Sequence, residues 1–535
     1  VELLLRAQLV DLLLARSGSC DARAMRSSSI VVAVLVAFPS VAFAETYRVG
    51  PSASADFREL TELPALAPGD VVEVEGDAEY EGGVVLDSDG SAAMPIVVRG
   101  LGEGASRPRL VGGDNTIEIL GDHYVLERLD VSAGTRRCVF HHAHDVTIRD
   151  TVVHDCPAQG ILGADDDSGS LTLERVEVHH CGGGTRDHQI YMATDEDTHP
   201  GAVFRMVGCW LHDGNGGNNV KSRAERNEIY SNWIEGAFYH ELELIGPDPA
   251  GGTDEETARE DSDVVGNVFV KRDDNEAFAV VRFGGDGTGQ SLGRYRFAFN
   301  TVIVAPGSDA AVFRLFDGLE SVEMHGNVFV RRGGGPVNLL REVEADWVRG
   351  RLVAGTNNWV SSGSTNVPPE WTGTITGDDP GLAEIDDLGA LDPSPASMAS
   401  PVVDAAIAPP PTFEASPFPS PLARPSDSPQ HGPGVIARPE VGAIDVGAYE
   451  YGTAPPPMDA GTDRDAGAGV DASTGEDAEV PGPDAATSRD AGARADGGED
   501  GGGDGGCGCR TSGTAASNLV AWLLVGLVLG RRRRR

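Results

Sequence analysis

Between Tyr124 and Arg332 one six-residue phrase returns eight times. It begins as LERLDV at Leu126, IRDTVV at Ile148, LERVEV at Leu173 and MVGCWL at Met206, and goes on as IYSNWI at Ile229, VVGNVF at Val264, FAFNTV at Phe297 and MHGNVF at Met324. The runs alternate with period two and are rich in Val, Ile and Phe, the pattern of strands, and no 3.6-residue stripe of a helical solenoid accompanies them. Successive phrases lie 22 to 35 residues apart. A unit this short cannot bury its own apolar face, so neighbouring units must stack. The fourth position reads Leu129, Thr151, Val176, Cys209 and then Asn232, Asn267, Asn300 and Asn327. An asparagine repeated in register at a corner can donate its amide to the next turn and accept a backbone N–H. Together these features predict an all-β chain, a right-handed parallel β-helix of about ten coils over residues 45–452.

The ends read differently. Met25 to Ala44 has the parts of a secretory signal: Arg26, an apolar run, and Ala42-Phe43-Ala44 as a cleavage site. Residues 1–24 are then expected to be an upstream extension from a start assigned too early. Residues 453–506 are Pro, Ala, Gly, Asp and Glu, too poor in apolar side chains to offset the entropy of ordering, and predict a disordered acidic spacer. Residues 507–535 hold Cys507 and Cys509, an apolar run at 515–530 and five terminal arginines. Sixteen residues span about 24 Å as a helix, against roughly 30 Å of hydrocarbon. A transmembrane or membrane-anchoring segment is nevertheless expected here, with snorkelling arginines closing the gap, and with it an exported protein at the cell surface.

The formal charge of −41, from 83 acidic and 42 basic residues, excludes nucleic acid as a partner, since phosphate binding needs clustered Lys and Arg. An acidic ligand would need a local basic patch or a bound cation. Export permits disulfides. Cys156 and Cys181 fall at matching places in adjacent coils and suggest either a bond or a stack of thiols, while Cys138 and Cys209 are out of register.

The domain resembles the right-handed parallel β-helix superfamily that includes pectate-lyase-like and chondroitinase-B-like proteins. The resemblance runs from about Tyr47 to Tyr451 and rests on the repeated phrase, an opening segment at Asp56–Gly82, and two closing phrases, SPVVDAA at Ser400–Ala406 and GAIDVGAYE at Gly442–Glu450. Separately, the tail is similar to the C-terminal sorting signal of myxobacterial surface proteins, which implies processing near the cysteine.

Each coil has a further strand. Aligning the inward apolar residues places Leu162, Tyr191, Lys221, Glu243, Arg282, Arg314 and Arg341 outward in one column. Rungs lie about 4.8 Å apart, so Lys221 to Arg282 covers roughly 10 Å, about two sugar units. Asn219 and Glu241 are expected to point the same way, and Arg223 lies close by. Loops starting at Asp195 and Gly246 would wall a groove. Eliminative cleavage of a uronate needs something to neutralise the carboxylate, a base for the C5 proton and an acid for the leaving oxygen. The resemblance implies Ca²⁺ held by Asn219 (or Asn218), Glu241 and Glu243, with Arg282 acting on the sugar. The family's lysine after the glutamate pair is absent, since Ile245-Gly246-Pro247-Asp248 stands there. Lys221, Tyr191 and His188 are therefore the candidate proton carriers, and Arg223, Arg314 and Glu243 the candidate substrate contacts.

The expectation is thus a monomeric, polysaccharide-active protein, a Ca²⁺-assisted lyase of an acidic glycan. Its alternatives are a non-catalytic glycan-binding or adhesive module and a polygalacturonase-like hydrolase using Asp165, Asp166 and Asp167. His154, His179 and His212, with Glu235 next in order, form another outward column. Side chains stacked along a flat sheet point in parallel while zinc needs convergence, so this column is expected to be an ordinary surface ladder.

Overall fold

The computed structural model describes residues 44–164, 166–247, 259–272, 279–285, 291–343, 346–407, 413–422 and 424–453. Of two compact units, 1–460 and 461–535, all of these belong to the first. The expected leader, spacer and tail fall on residues 1–43 and 454–535, outside the described set. The expected transmembrane segment is corrected: among the described residues no helix is long and apolar enough to cross a membrane. The run at 515–530 on which it was placed lies outside them and is itself short for a bilayer.

The chain winds as a right-handed parallel β-helix. The first sheet has twelve strands, from Thr46–Val49 to Val353–Thr356, and the second has twelve, from Glu79–Glu81 to Ile375–Gly377. The third has ten, from Val84–Leu86 to Asn338–Glu342, so the coil number somewhat exceeds the ten expected. Every pairing within these three sheets is parallel, as in Ile148↔Leu173 and Val153↔Val178. Strand alternation sends Val, Ile, Leu and Phe inward, and Phe269, Phe297 and Phe329 stack down the core at 5.6 and 6.4 Å.

The corner between the first and second sheets is built alike in coil after coil. One residue adopts a left-handed conformation: Arg128 (φ 57°), Asp150 (51°), Arg175 (54°), Ser231 (52°), Phe299 (55°) and Asn357 (52°), with glycine at 208, 266 and 326. The ladder residue follows. Asn232, Asn267, Asn300 and Asn327 each accept, through Oδ1, the backbone N–H of the ladder residue one coil earlier at 2.8–2.9 Å. Each amide Nδ2 donates to a backbone carbonyl, as Asn300 does to Val264 at 2.9 Å. Asn358 extends the ladder by one step, accepting from Asn327 N at 3.0 Å. In an earlier coil Thr151 Oγ1 accepts Leu129 N–H at 3.3 Å in the same manner.

The disulfide joins Cys138 to Cys156, with Cα atoms 5.6 Å apart, and Cys181 and Cys209 are buried free thiols. The suggested pairing of Cys156 with Cys181 is therefore corrected. Cys138, at the start of a third-sheet strand, reaches across the corner to the end of strand Val152–His154, where its sulfur also meets His154 O at 3.2 Å. The two closing phrases lie against each other, with Val446 N donating to Val402 O and Ala406 N to Ile444 O. They cover a second apolar layer on the outer face of the second sheet, made by Trp233, Val268, Ile303, Val328 and Trp359.

Candidate functional site

The third sheet carries the outward column in unbroken register: Leu162↔Tyr191↔Lys221↔Glu243↔Arg282↔Arg314↔Arg341. Beneath it Ile161, Ile190, Val220, Leu242 and Val281 stack into the core and hold these side chains outward. Lys221 Nζ lies 5.0 Å above the Tyr191 ring, and Tyr191 Oη accepts from Arg223 Nε at 3.2 Å. Arg282 and Arg314 both lie over Phe316, at 3.9 and 5.0 Å from the ring centre. Among the described residues, the Nε atoms of these two arginines are buried without a hydrogen-bond partner.

Glu243 sits at the middle of the column, only 3% exposed. Burial alone would raise its pKa, but the Arg282 guanidinium bonded to it, with Lys221 beside it, holds the carboxyl well below the usual carboxylate range. Asn218 Nδ2 donates to the same carboxylate, and Asn218 Oδ1 accepts His240 N–H at 2.9 Å. His188 Nδ1 accepts Asn218 N–H at 2.9 Å, which leaves the proton of the neutral ring on Nε2. Burial pushes this imidazole down to about 3, so His188 can donate at Nε2 but has no free lone pair with which to take a proton.

Asn219 and Glu241 are brought together, but not with Glu243. Glu241 is fully buried, and both its oxygens accept Ala237 N–H at 3.1 Å. Asn219 Nδ2 donates to Glu241 at 2.7 Å, and Asn219 Oδ1 accepts from Gln189 Nε2 at 2.7 Å. Lys271 Nζ stands 3.6 Å from Glu241 Oε1 and donates to Ala237 O at 3.2 Å and to Tyr239 O. The expectation that Glu241 and Glu243 share a direction assumed strand alternation, yet the strand begins at Leu242, and Glu241 turns into the corner before it. Calcium wants several oxygens facing one point. Here Asn219 presents nitrogen to Glu241, the Glu241 oxygens are taken, and an ammonium already supplies the positive charge. The three residues do not fit a shared calcium ion. Burial raises Glu241 to about 6, with Lys271 opposing that rise.

Asp166 and Asp167 are both exposed, in the loop that precedes Ser168. Asp167 N–H donates to Asp195 at 2.9 Å and its carboxylate meets His199 Nε2 at 3.0 Å, within turns that also use Asp195 to hold Thr198; Asp165 lies outside the described residues. The loop beginning at Asp195 is thus a compact turn, and most of the loop beginning at Gly246 falls outside the described residues. On the second sheet, Glu177, His179 and His212 bring three possible ligand atoms within 4.8 Å of one another, a cluster able to hold a metal ion. Sequence reasoning saw the two histidines but passed over Glu177, although Glu177-Val178-His179 puts both polar side chains on one face.

No protein-family model matches the chain, and no curated protein matches it. Among solved structures it is similar to pectate lyase Pel9A, at 14% identity over 77% of this chain and 97% of that one, with a TM-score of 0.44. It is also similar to an alginate lyase from Paenibacillus sp. str. FPU-7, at 16% identity over 56% of this chain and 99% of the other, with a TM-score of 0.41. The mannuronan C-5 epimerase AlgE6 A-module of Azotobacter vinelandii gives 12% identity, 58% and 91% coverage and a TM-score of 0.36.

Proposed function

We propose that this is an exported, polysaccharide-active β-helix protein that takes an acidic glycan along the outer face of its third sheet. The observation that carries the reading is the in-register column from Tyr191 to Arg341, which concentrates Lys221, Arg282, Arg314 and Arg341 on a chain of formal charge −41. At about 4.8 Å per rung, successive cations match successive units of a polymer roughly one rung to one sugar. Arg282 and Arg314, set on Phe316 with buried Nε donors to spare, suit a carboxylate.

Eliminative cleavage is the chemistry this face supports best. The guanidiniums of Arg282 and Arg314 would neutralise the uronate carboxylate and so acidify its C5 proton. Tyr191 Oη would take that proton, held in place by the hydrogen bond from Arg223 Nε at 3.2 Å and by Lys221 over its ring. Lys221 would donate to the leaving oxygen. Calcium, implied by the resemblance, is not needed in this scheme, because its expected ligands are committed to Ala237, Gln189 and Lys271. A second reading, a binding module without turnover, draws support from the internal pairing of Arg282 with Glu243.

Alginate, pectate and glycosaminoglycans, each tested with and without chelator, separate these readings. The expected result is ultraviolet absorbance from an unsaturated product that persists in chelator, with Tyr191→Phe keeping affinity and losing turnover. Binding without product in every polymer would overturn the lyase reading in favour of the module. Absence of binding to all acidic polymers would overturn both.

A further inference from the structure

Away from the third sheet, the outer face of the second carries a stack of imidazoles where the apolar cover of the later coils ends. His154, His179 and His212 lie in register on three successive coils, with ring centres 5.0 and 4.9 Å apart. Parallel rings alone would not converge on an ion. Two features change that. The planes of His179 and His212 are tilted 23° from parallel, and Glu177, two residues before His179, turns its carboxylate between their Nε2 atoms. Glu177 Oε1 is 3.4 Å from His212 Nε2 and 4.0 Å from His179 Nε2. Metal–ligand distances of about 2.0–2.2 Å in tetrahedral geometry put ligand atoms about 3.3–3.6 Å apart; Glu177 and His212 already stand at that spacing, and His179, within 4.8 Å of both, must draw in.

The surroundings orient both rings toward this point. His212 Nδ1 is held by Asp213 at 2.7 Å, the carboxylate–histidine arrangement that fixes a ligating tautomer, and Arg272 pairs with the same aspartate. His179 Nδ1 is engaged by His180 Nδ1 at 2.6 Å. His154 is different, since its two nitrogens are taken by Asp130 at 2.9 Å and Asp155 at 2.7 Å. Glu177, His179 and His212 thus bring one possible ligand atom each to within 4.8 Å of one another, with Glu177 and His212 already in hydrogen-bond contact.

We propose that Glu177, His179 and His212 form a binding site for a divalent transition-metal ion, Zn²⁺ fitting best, which clips two adjacent coils together. Two imidazoles and one carboxylate suit zinc rather than calcium, and a fourth position stays open to water. The side chains are 10–22% exposed, which leaves the ion a way in. The site is independent of the glycan reading, as it lies on another sheet.

The test is Zn²⁺ binding to the untagged full chain after removal of metal, followed by calorimetry and by the melting temperature. One zinc per chain and a rise in melting temperature are expected. His212→Gln abolishes both effects, and Asp213→Asn weakens zinc affinity about 10- to 100-fold. A native chain that takes up no zinc overturns the proposal. So does a His212→Gln chain that folds, by circular dichroism, and binds zinc as tightly as the native one.

Discussion

His141, His188 and His240 are buried imidazoles, each pushed by burial down to about 3. Below pH 6.5 the unfolded chain takes up a proton at each of them that the folded chain refuses until about pH 3. Stability is therefore full above this window and falls as pH drops through it, by about 1.4 kcal/mol per pH unit for each imidazole. Glu260 works in the opposite sense. Enclosed in the core with Tyr295, Ser262 and Asn227, its carboxyl is raised by burial from 4.5 to about 8. Its contribution is complete below pH 4.5 and is lost as pH rises toward 8. Three imidazoles outweigh one carboxyl on the acid side, so the melting temperature should peak near about pH 6.5. Glu260→Gln, which imitates the protonated form, should flatten the alkaline limb and leave the acid limb in place; an unchanged alkaline limb would refute the assignment. Lys271 offers another single-residue test. Lys271→Ala leaves Glu241 buried without its cation, at a cost of about 3–5 kcal/mol. It also vacates a nest of oxygens from Glu241, Ala237 and Tyr239, so millimolar calcium should raise the variant's melting temperature and not that of the native chain. An equal response in both chains would show that the ammonium does not stand in for an ion. This corner was hard to read in the sequence. Period-two alternation holds inside a strand, and Glu241 lies one residue before one.

The asparagine ladder is where sequence and element meet most directly, because register and corner are written into one repeated position. Its bonds are unequal, and that inequality makes a prediction. Asn300 Oδ1 accepts both the backbone N–H and the side-chain amide of Asn267, at 2.8 and 3.0 Å. Among the described residues, Asn232 Oδ1 accepts the backbone N–H of Cys209 alone, at 2.8 Å. A buried donor left unpaired costs about 1–3 kcal/mol. Asn300→Ala orphans two donors and should destabilise more than Asn232→Ala, which orphans one, by about that amount in denaturant unfolding. Equal losses would mean that the corner relaxes and the ladder acts merely as filler. The strand periods and this ladder made the fold legible; the number of coils was less so. The first coils, with strands such as Val71–Val74 and Ile96–Gly100, carry no polar marker to count by, and Asn358 follows a phrase, Gly355-Thr356-Asn357, with no apolar side chain to align. The third-sheet column could be read because seven outward residues share a register with an apolar stack. Glu177 is legible by the same rule, since Glu177-Val178-His179 puts it on the outward face beside the histidine column.

Over the whole molecule, a β-helix alone is close to one-dimensional, each coil touching its neighbours, so its ends could open independently. The chain after residue 413 counters this by running back along the coils it has just built. Ser416 Oγ donates to Glu320 at 2.7 Å, Arg296 Nη1 to Ser420 O at 2.7 Å and Ser231 Oγ to Asp427 O at 2.9 Å. Farther back, Gly434 N donates to Gly208 O at 2.7 Å and His431 Nε2 meets Glu235 at 3.1 Å. The returning strap is itself locked by Arg438, fully buried, which bonds Glu450 at 3.2 Å, Gly447 O at 3.0 Å and Asp445 O at 3.1 Å. None of this was legible in the sequence, where the two closing phrases marked only an exit, since contacts about 200 residues apart leave no periodic trace. With the strap in place, strands Arg226–Tyr230 and Leu319–His325 should share one opening free energy in native-state amide exchange, because unfolding either set must first release the same tie. Arg438→Met leaves Glu450 with Arg424 alone and should loosen that tie by about 3–5 kcal/mol. A chain lacking residues 413–453 should lose it entirely, and the two sets of strands should then exchange with different free energies, the C-terminal set opening first. If the shortened chain still exchanges as a single unit, the coils are cooperative through stacking and ladder alone, and the strap only covers what they expose.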